Sequence, residues 1–231
     1  MKKRLAFAVC VLNVLTFMGI CRGHANSLGE DGKAPMPSQV ATVLPSGVIE
    51  PKTPSAMVGL PAPDFNLEGV VGTEPGKEFK SFRLIDFKGK WLVLFFYPAD
   101  FTFVCPTEIK GFSENLDSFT TLGAEVVAVS TDSKWSHLAW IKRGDLGNLK
   151  YPLLADFNKE TARAYGVLDA ANGVALRGLF IIDPKGVLQY QVVHNLDVGR
   201  SIEETLRVLE ALQSGGLCPL GWKPGQKTLG R

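Results

Sequence analysis

Seven apolar residues in a row, Trp91-Leu92-Val93-Leu94-Phe95-Phe96-Tyr97, halted at once by Pro98, constrain this chain more than any other feature. The run is too short for a typical helix and is apolar at every position rather than every second one. It therefore predicts a strand buried on both faces in the middle of a sheet. Such a strand needs covering layers. Downstream, Ile109, Phe112, Leu116 and Phe119 recur at steps of three, four and three, which predicts one helix from about 104 to 119 with a face on that sheet. Residues 124–130 read as a second buried strand, followed by a helix begun by Asp132 or Ser133 that carries Trp135, Leu138 and Ala139 inward.

The rest of the pattern continues the alternation of strand and helix. Residues 78–84 read as an edge strand closed by the turn-like Asp86-Phe87-Lys88-Gly89-Lys90, and 159–165 as a short helix ending at Gly166. Residues 179–182 read as a third core strand. Asp183-Pro184-Lys185-Gly186 has the Pro and Gly placement of a type I turn, so 187–193 is expected to return antiparallel to it. Ser201 and Glu204 have the spacing of a capping box, and Ile202, Leu206, Leu209 and Leu212 form the apolar face of the helix behind it, stopped by Gly215-Gly216. The fold class is α/β, a mixed central sheet flanked by helices. Strand order is not readable from this pattern.

Residues 1–25 read as an export signal: Lys2, Lys3 and Arg4, an apolar run from Leu5 to Ile20 broken by Asn13 and Thr16, and small residues around Gly23-His24-Ala25. The run is shorter than the roughly 20 apolar residues of a spanning helix, so cleavage after Ala25 is favoured over a retained anchor. The expected location is outside the cytoplasm, in a periplasm, or on the membrane if the segment is kept. Processing as a lipoprotein at Cys21 is disfavoured by bulky Ile20 before it. Residues 26–55, rich in Pro, Gly and Ser, read as a linker, 56–215 as the folded domain and 216–231 as a tail. Loss of the signal takes the formal charge from +2 to −2, which leaves no basic excess for nucleic acid. It also removes Cys10 and Cys21, leaving Cys105 and Cys218. Two thiols are too few for a disulfide scaffold; a structural bridge, a redox pair and two unrelated core residues all stay open.

By composition, Cys105 among Phe101, Phe103 and Val104 is an ordinary small core residue. Its position argues otherwise, because it opens a helix directly after a strand and loop, where unpaired amides and the helix dipole favour a thiolate. Pro106 suits a helix start, which needs no N–H partner. The string Y-P-A-D-F-T-F-V-C-P-T-E-I-K-G-F from Tyr97 to Phe112 resembles the active-site segment of the peroxiredoxins, whose P-x-x-x-T-x-x-C pattern is met by Pro98, Thr102 and Cys105. R-G-L-F-I-I-D (177–183), H-L-A-W (137–140), D-V-G-R-S-I-E-E-T-L-R (197–207) and L-C-P-L-G-W-K-P-G (217–225) resemble the typical two-cysteine subgroup. The likeness runs from about 58 to 228.

This resemblance implies a thioredoxin-like fold and a peroxidase acting on hydrogen peroxide or small organic hydroperoxides without metal, haem or flavin. It implies that Cys105 is the peroxidatic cysteine, Thr102 the hydroxyl that binds peroxide, Pro98 the shield of the thiolate, Arg177 the activating cation and Glu108 the carboxylate that helps hold that arginine. Arg200 resembles a second structural or active-site arginine, and Cys218 the resolving cysteine of the partner subunit, on a tail expected to be exposed and mobile. Implied partners are a thioredoxin-like or other dithiol reductant and a second copy of the chain, in a homodimer or a ring of dimers such as a decamer. Two departures, R-G-D-L-G-N-L-K (143–150) in place of G-G-L-G and no further helix after the tail, imply resistance to over-oxidation. Trp140 is expected in the core. His24, His137 and His194 lie too far apart for a zinc site, with His194 a polar strand end. A thiol–disulfide oxidoreductase is disfavoured by the missing C-x-x-C, and an oligomeric holdase or redox relay is the non-enzymatic alternative.

Overall fold

A computed structural model of the protein describes residues 56–230; the expected signal and linker, residues 1–55, lie outside them. In chain order the strands and helices are β1 (Asn66–Val70), β2 (Phe79–Arg83), β3 (Trp91–Phe96), α1 (Cys105–Glu114), α2 (Leu116–Thr121), β4 (Ala124–Ser130), α3 (Lys134–Arg143), β5 (Leu153–Ala155), α4 (Glu160–Ala164), β6 (Leu168–Asp169), β7 (Val174–Ala175), β8 (Arg177–Ile182), β9 (Leu188–His194) and α5 (Ile202–Ser214). Seven strands form one sheet in the order β2-β1-β5-β4-β3-β8-β9, and β6 and β7 pair separately.

The apolar run is the heart of this sheet. β3 pairs parallel with β4 and antiparallel with β8, so both its edges are occupied. Successive side chains of a strand point to opposite faces. Accordingly Val93 and Phe95 join Ile109, Phe112 and Leu209 in one core, while Leu92, Leu94 and Phe96 join Val129, Leu154 and Phe180 in the other. The sheet is mixed: β3 with β4 and β4 with β5 are parallel, while β1 with β2, β1 with β5, β3 with β8 and β8 with β9, the last joined by the turn at Asp183–Gly186, are antiparallel. Gly186 there has φ +86°, which an L side chain rarely adopts.

Four expectations need correction. The helix expected over 104–119 is two: Asn115 ends α1, its side chain and its backbone N–H both donating to the Gly111 carbonyl, and α2 restarts at Leu116. The buried face of α3 is His137, Leu138 and Trp140, whereas Ala139 is exposed and Trp135 is 62% exposed, its ring edge-on to Phe79 on the sheet. Residues 84–87 form a 3-10 turn that takes in Asp86 and Phe87 of the expected bend. The tail makes bonds of its own: Leu217 N–H donates to Gly230 O, Leu229 N–H to Leu217 O, Trp222 is buried, and Arg207 of α5 donates to the Trp222 carbonyl at 3.0 Å. At the start of α5, Ser201 accepts from Glu204 N–H, but the Glu204 carboxylate pairs with Arg207, so half of the capping box forms.

Candidate active site

The C-terminal end of β3, the first turn of α1, the first residue of β8 and the approach to α5 converge on Cys105. Pro98 is buried and stops β3, and the chain then loops through residues 99–104 into α1. Val104 caps the helix without a side-chain bond, Pro106 occupies the first turn, and Cys105 is the first helical residue. The sulfur sits at the positive end of the helix dipole, although the first-turn N–H groups of Thr107 and Glu108 already donate to Val104 O, at 3.0 and 3.4 Å. Cys105 is 1% exposed, while Thr102 and Phe103 of the loop are exposed, Phe103 by 95%.

Arg177, buried at the start of β8, places Nη1 3.5 Å from Cys105 Sγ and 2.6 Å from Glu108 Oε2, and its Nε donates to Leu196 O at 2.7 Å. Glu108 lies three positions after Cys105, nearly a full turn on, and is also buried. Its other partner is Arg200, which donates from Nε to Oε1 at 2.7 Å, from Nη2 to Oε2 at 2.9 Å and from its backbone N–H to Oε1 at 2.8 Å. Arg200 Nη1 also donates to the carbonyls of Phe96 and Gly178, and its guanidinium lies 5.0 Å from the Phe95 ring centre. Burial pushes the Glu108 carboxyl up, but the hydrogen bonds and charge of Arg200, with the charge of Arg177, outweigh it and hold the group below the ordinary carboxylate value. Two guanidinium charges against one carboxylate leave one positive charge beside the sulfur.

The structure thus brings Cys105, Arg177, Glu108 and Arg200 together from three parts of the chain: α1, the start of β8 and the approach to α5. Thr102 stands on the loop three residues before Cys105, and its hydroxyl donates to Ala99 O at 3.0 Å. With its proton engaged there, the hydroxyl has its lone pairs free to accept a hydrogen bond. Cys218 is unbonded to Cys105. It follows the C-terminus of α5, whose 13 residues span about 20 Å from the Arg200 end. Half-buried, its Sγ lies 3.5 Å from Ser214 Oγ and 3.8 Å from the carbonyls of Ala211 and Gly216. Phe101, Thr102, Phe103, Pro106 and Thr107 line an open hollow of about 600 Å³. A smaller cavity of about 280 Å³ lies at the opposite end of β3, lined by Leu92, Ile182 and Lys185, and holds no cysteine.

Sequence reasoning missed one group. Tyr97, Asp100 and His137 form a buried cluster: Tyr97 OH donates to Asp100 Oδ1 at 2.9 Å, and Asp100 Oδ2 lies 2.8 Å from His137 Nδ1. All three stand in strings already singled out, and no role had been attached to them.

The AhpC/TSA family model matches residues 58–191. YkuU of Bacillus subtilis (strain 168) is 58% identical over 179 residues, covering 75% of this chain and 98% of that protein. Peroxiredoxin-2 of Rattus norvegicus is 52% identical over 183 residues, covering 76% and 90%. The reduced 2-Cys peroxiredoxin of Plasmodium vivax superposes with a TM-score of 0.69 at 40% identity, covering 74% of this chain and 91% of that one. With its mixed sheet and flanking helices, the chain therefore belongs to the AhpC/TSA family and is a peroxiredoxin, a thiol-dependent peroxidase on a thioredoxin-like fold.

Proposed function

We propose that the chain reduces hydrogen peroxide and small organic hydroperoxides through a two-cysteine cycle in which Cys105 is oxidised and Cys218 of a second copy resolves it. The observation that carries this reading is the contact of 3.5 Å between Arg177 Nη1 and Cys105 Sγ at the mouth of α1. Arg177, Arg200 and Glu108 sum to one positive charge, which a thiolate neutralises; the sulfur is the one partner in the cluster that can supply that charge.

In the first step the Cys105 thiolate attacks one oxygen of the hydroperoxide. An S–O bond forms, the O–O bond breaks, and the electron pair leaves on the distal oxygen, which takes a proton to become water or an alcohol. Sulfur ends as sulfenic acid. Arg177 and the positive end of the α1 dipole stabilise the charge that develops on the oxygens, and one such fixed donor is worth about 10²- to 10³-fold in rate. The Thr102 lone pairs accept from the hydroperoxide O–H, and Pro98 keeps water from the thiolate. Glu108 holds Arg177 in place by a short charge-assisted bond, and Arg200 fixes Glu108 from the other side.

In the second step the Cys218 thiolate attacks the sulfenic sulfur, forming a disulfide of about 2.05 Å and expelling hydroxide. The tail must leave its bonds to α5 for this, and the first turn of α1 must open. An external dithiol then reduces the disulfide. Non-reducing electrophoresis before and after one equivalent of peroxide tests the cycle. A covalent dimer is expected for the wild type and none for Cys105→Ser or Cys218→Ser; a dimer that survives loss of either sulfur, or peroxide consumption by Cys105→Ser, defeats it.

A further inference from the structure

The loop that carries Thr102 is held from outside the reacting groups. His137 of α3 is fully buried with both ring nitrogens engaged, Nε2 3.1 Å from Leu154 O and Nδ1 2.8 Å from Asp100 Oδ2. A carbonyl only accepts, so Nε2 carries a proton and donates to Leu154. Tyr97 OH donates to Asp100 Oδ1 at 2.9 Å, and the Asp100 backbone N–H donates to Asp132 Oδ2 at 2.8 Å. The Tyr97 hydroxyl also lies 3.3 Å from Nδ1, so Asp100 is fixed at both its side chain and its amide. Burial and the Asp100 charge push the Tyr97 hydroxyl well above its ordinary value, so it stays a neutral donor.

The residue after Asp100 is Phe101, with φ +55°, a conformation that a non-glycine side chain keeps only where its surroundings impose it. Those surroundings come from the same helix. The Trp140 ring centre lies 5.7 Å from that of Phe101, and the Arg143 guanidinium 5.5 Å from it. His137, Trp140 and Arg143 are spaced by three on α3, so one helical face holds Asp100 and Phe101 together. The next residue is Thr102, whose hydroxyl is turned to Ala99 O.

We propose that His137 is a positioning residue for the peroxide step, holding Asp100 so that the turn through Phe101 aims the Thr102 hydroxyl at the hydroperoxide. This rests on the reading of Thr102 and Cys105 given above. His137 touches neither the sulfur nor the substrate; it acts by keeping a loop of unfavourable backbone in one place. Misplacement of a binding group by about 1 Å can cost about 10²-fold in rate, which sets the scale of the effect.

The experiment compares His137→Gln, His137→Asn and wild type by stopped-flow reaction of reduced protein with hydrogen peroxide, alongside alkylation of Cys105 by iodoacetamide, with folding checked by circular dichroism. The Asn amide can stand in for Nδ1 and reach Asp100; the Gln amide stands in for Nε2 and reaches Leu154. His137→Gln is expected to lose about 10²-fold in peroxide rate, His137→Asn to keep most of it, and alkylation to keep the wild-type rate in both, since alkylation needs the thiolate but not Thr102. Equal losses in the Gln and Asn variants, alkylation that falls in step with the peroxide rate, or a folded His137→Gln variant that reacts like wild type would each overturn the inference. Should His137→Gln fail to fold, Asp100→Ala takes its place with the same expected loss, and Asp100→Asn is expected to be spared because its amide can donate to a neutral ring. Thr102→Val separates the two readings. If it reacts like wild type, the role of Thr102 itself fails; if it is slow while His137→Gln is fast, only the present inference fails.

Discussion

At the scale of single residues, Glu108 does the most with the least. One carboxylate receives Arg177 and Arg200 through bonds of 2.6 to 2.9 Å, with no solvent to screen them. Removing one partner of a buried pair costs about 3–5 kcal/mol because the other charge is stranded, so Glu108→Gln is expected to lower stability at neutral pH by that order, read from urea unfolding. Its pH dependence has a fixed sign. The folded carboxyl titrates below 4.5, the ordinary value for glutamate, so its stabilising contribution is present above that pH and is lost as pH falls through the lower folded value. Wild-type stability is expected to drop below pH 4.5, and Glu108→Gln to lack that share of the drop; identical slopes for the two proteins below that pH would exclude this role. Motif likeness singled out Glu108 and Arg177, but periodicity and composition carried no sign of either. Arg200 could equally have been a surface charge near a helix cap, and only its three bonds to Glu108 decide the matter.

At the scale of elements, β8 shows how a strand places chemistry by leaving out a side chain. A Cβ on Gly178 would lie 2.5 Å from Val167 Cγ1 and 2.9 Å from Phe180 Cε2, both in a filled core. The Gly178 carbonyl also accepts from Arg200 at 2.6 Å. Gly178→Ala is expected to destabilise the protein by about 1–3 kcal/mol through overpacking, measured by the shift in the urea midpoint; an unchanged midpoint would mean that Val167 yields freely. The helices show what periodicity can and cannot carry. Ile109, Phe112, Leu116 and Phe119 all face the core as their spacing implied, yet the axis breaks at Asn115, because an amide side chain competes for the carbonyl that a continuous helix would use. On α3 the apolar pattern pointed to Trp135 and Ala139. The buried positions instead include His137, a polar residue whose burial is compensated by Asp100 and Leu154 from other elements.

For the whole molecule, residues 1–25 bear on where the enzyme meets peroxide. Their charged start and apolar run support a proposal of export with cleavage after Ala25. Mass mapping of the protein recovered from outside the cytoplasm is expected to begin at Asn26, and recovery only of chains that retain Met1 would exclude cleavage. Read alone, the sequence left out β1 and β5 but determined the central strand β3, its neighbours β4 and β8, the helix α5, the turn between β8 and β9, and a cysteine at a helix mouth. Each of these is written in neighbouring residues by periodicity, by glycine and proline placement, or by a motif. Only the tertiary structure decided the order of the seven strands, the bonds between α5 and the tail that holds Cys218, and the pairing of Arg177 with Arg200 on one carboxylate. It also joined His137 to Asp100 across 37 positions. Those features depend on contacts between distant segments. Hydrogen bonds and charges act at about 3 Å in space whatever the separation along the chain, and no local pattern records which partners folding will bring into range.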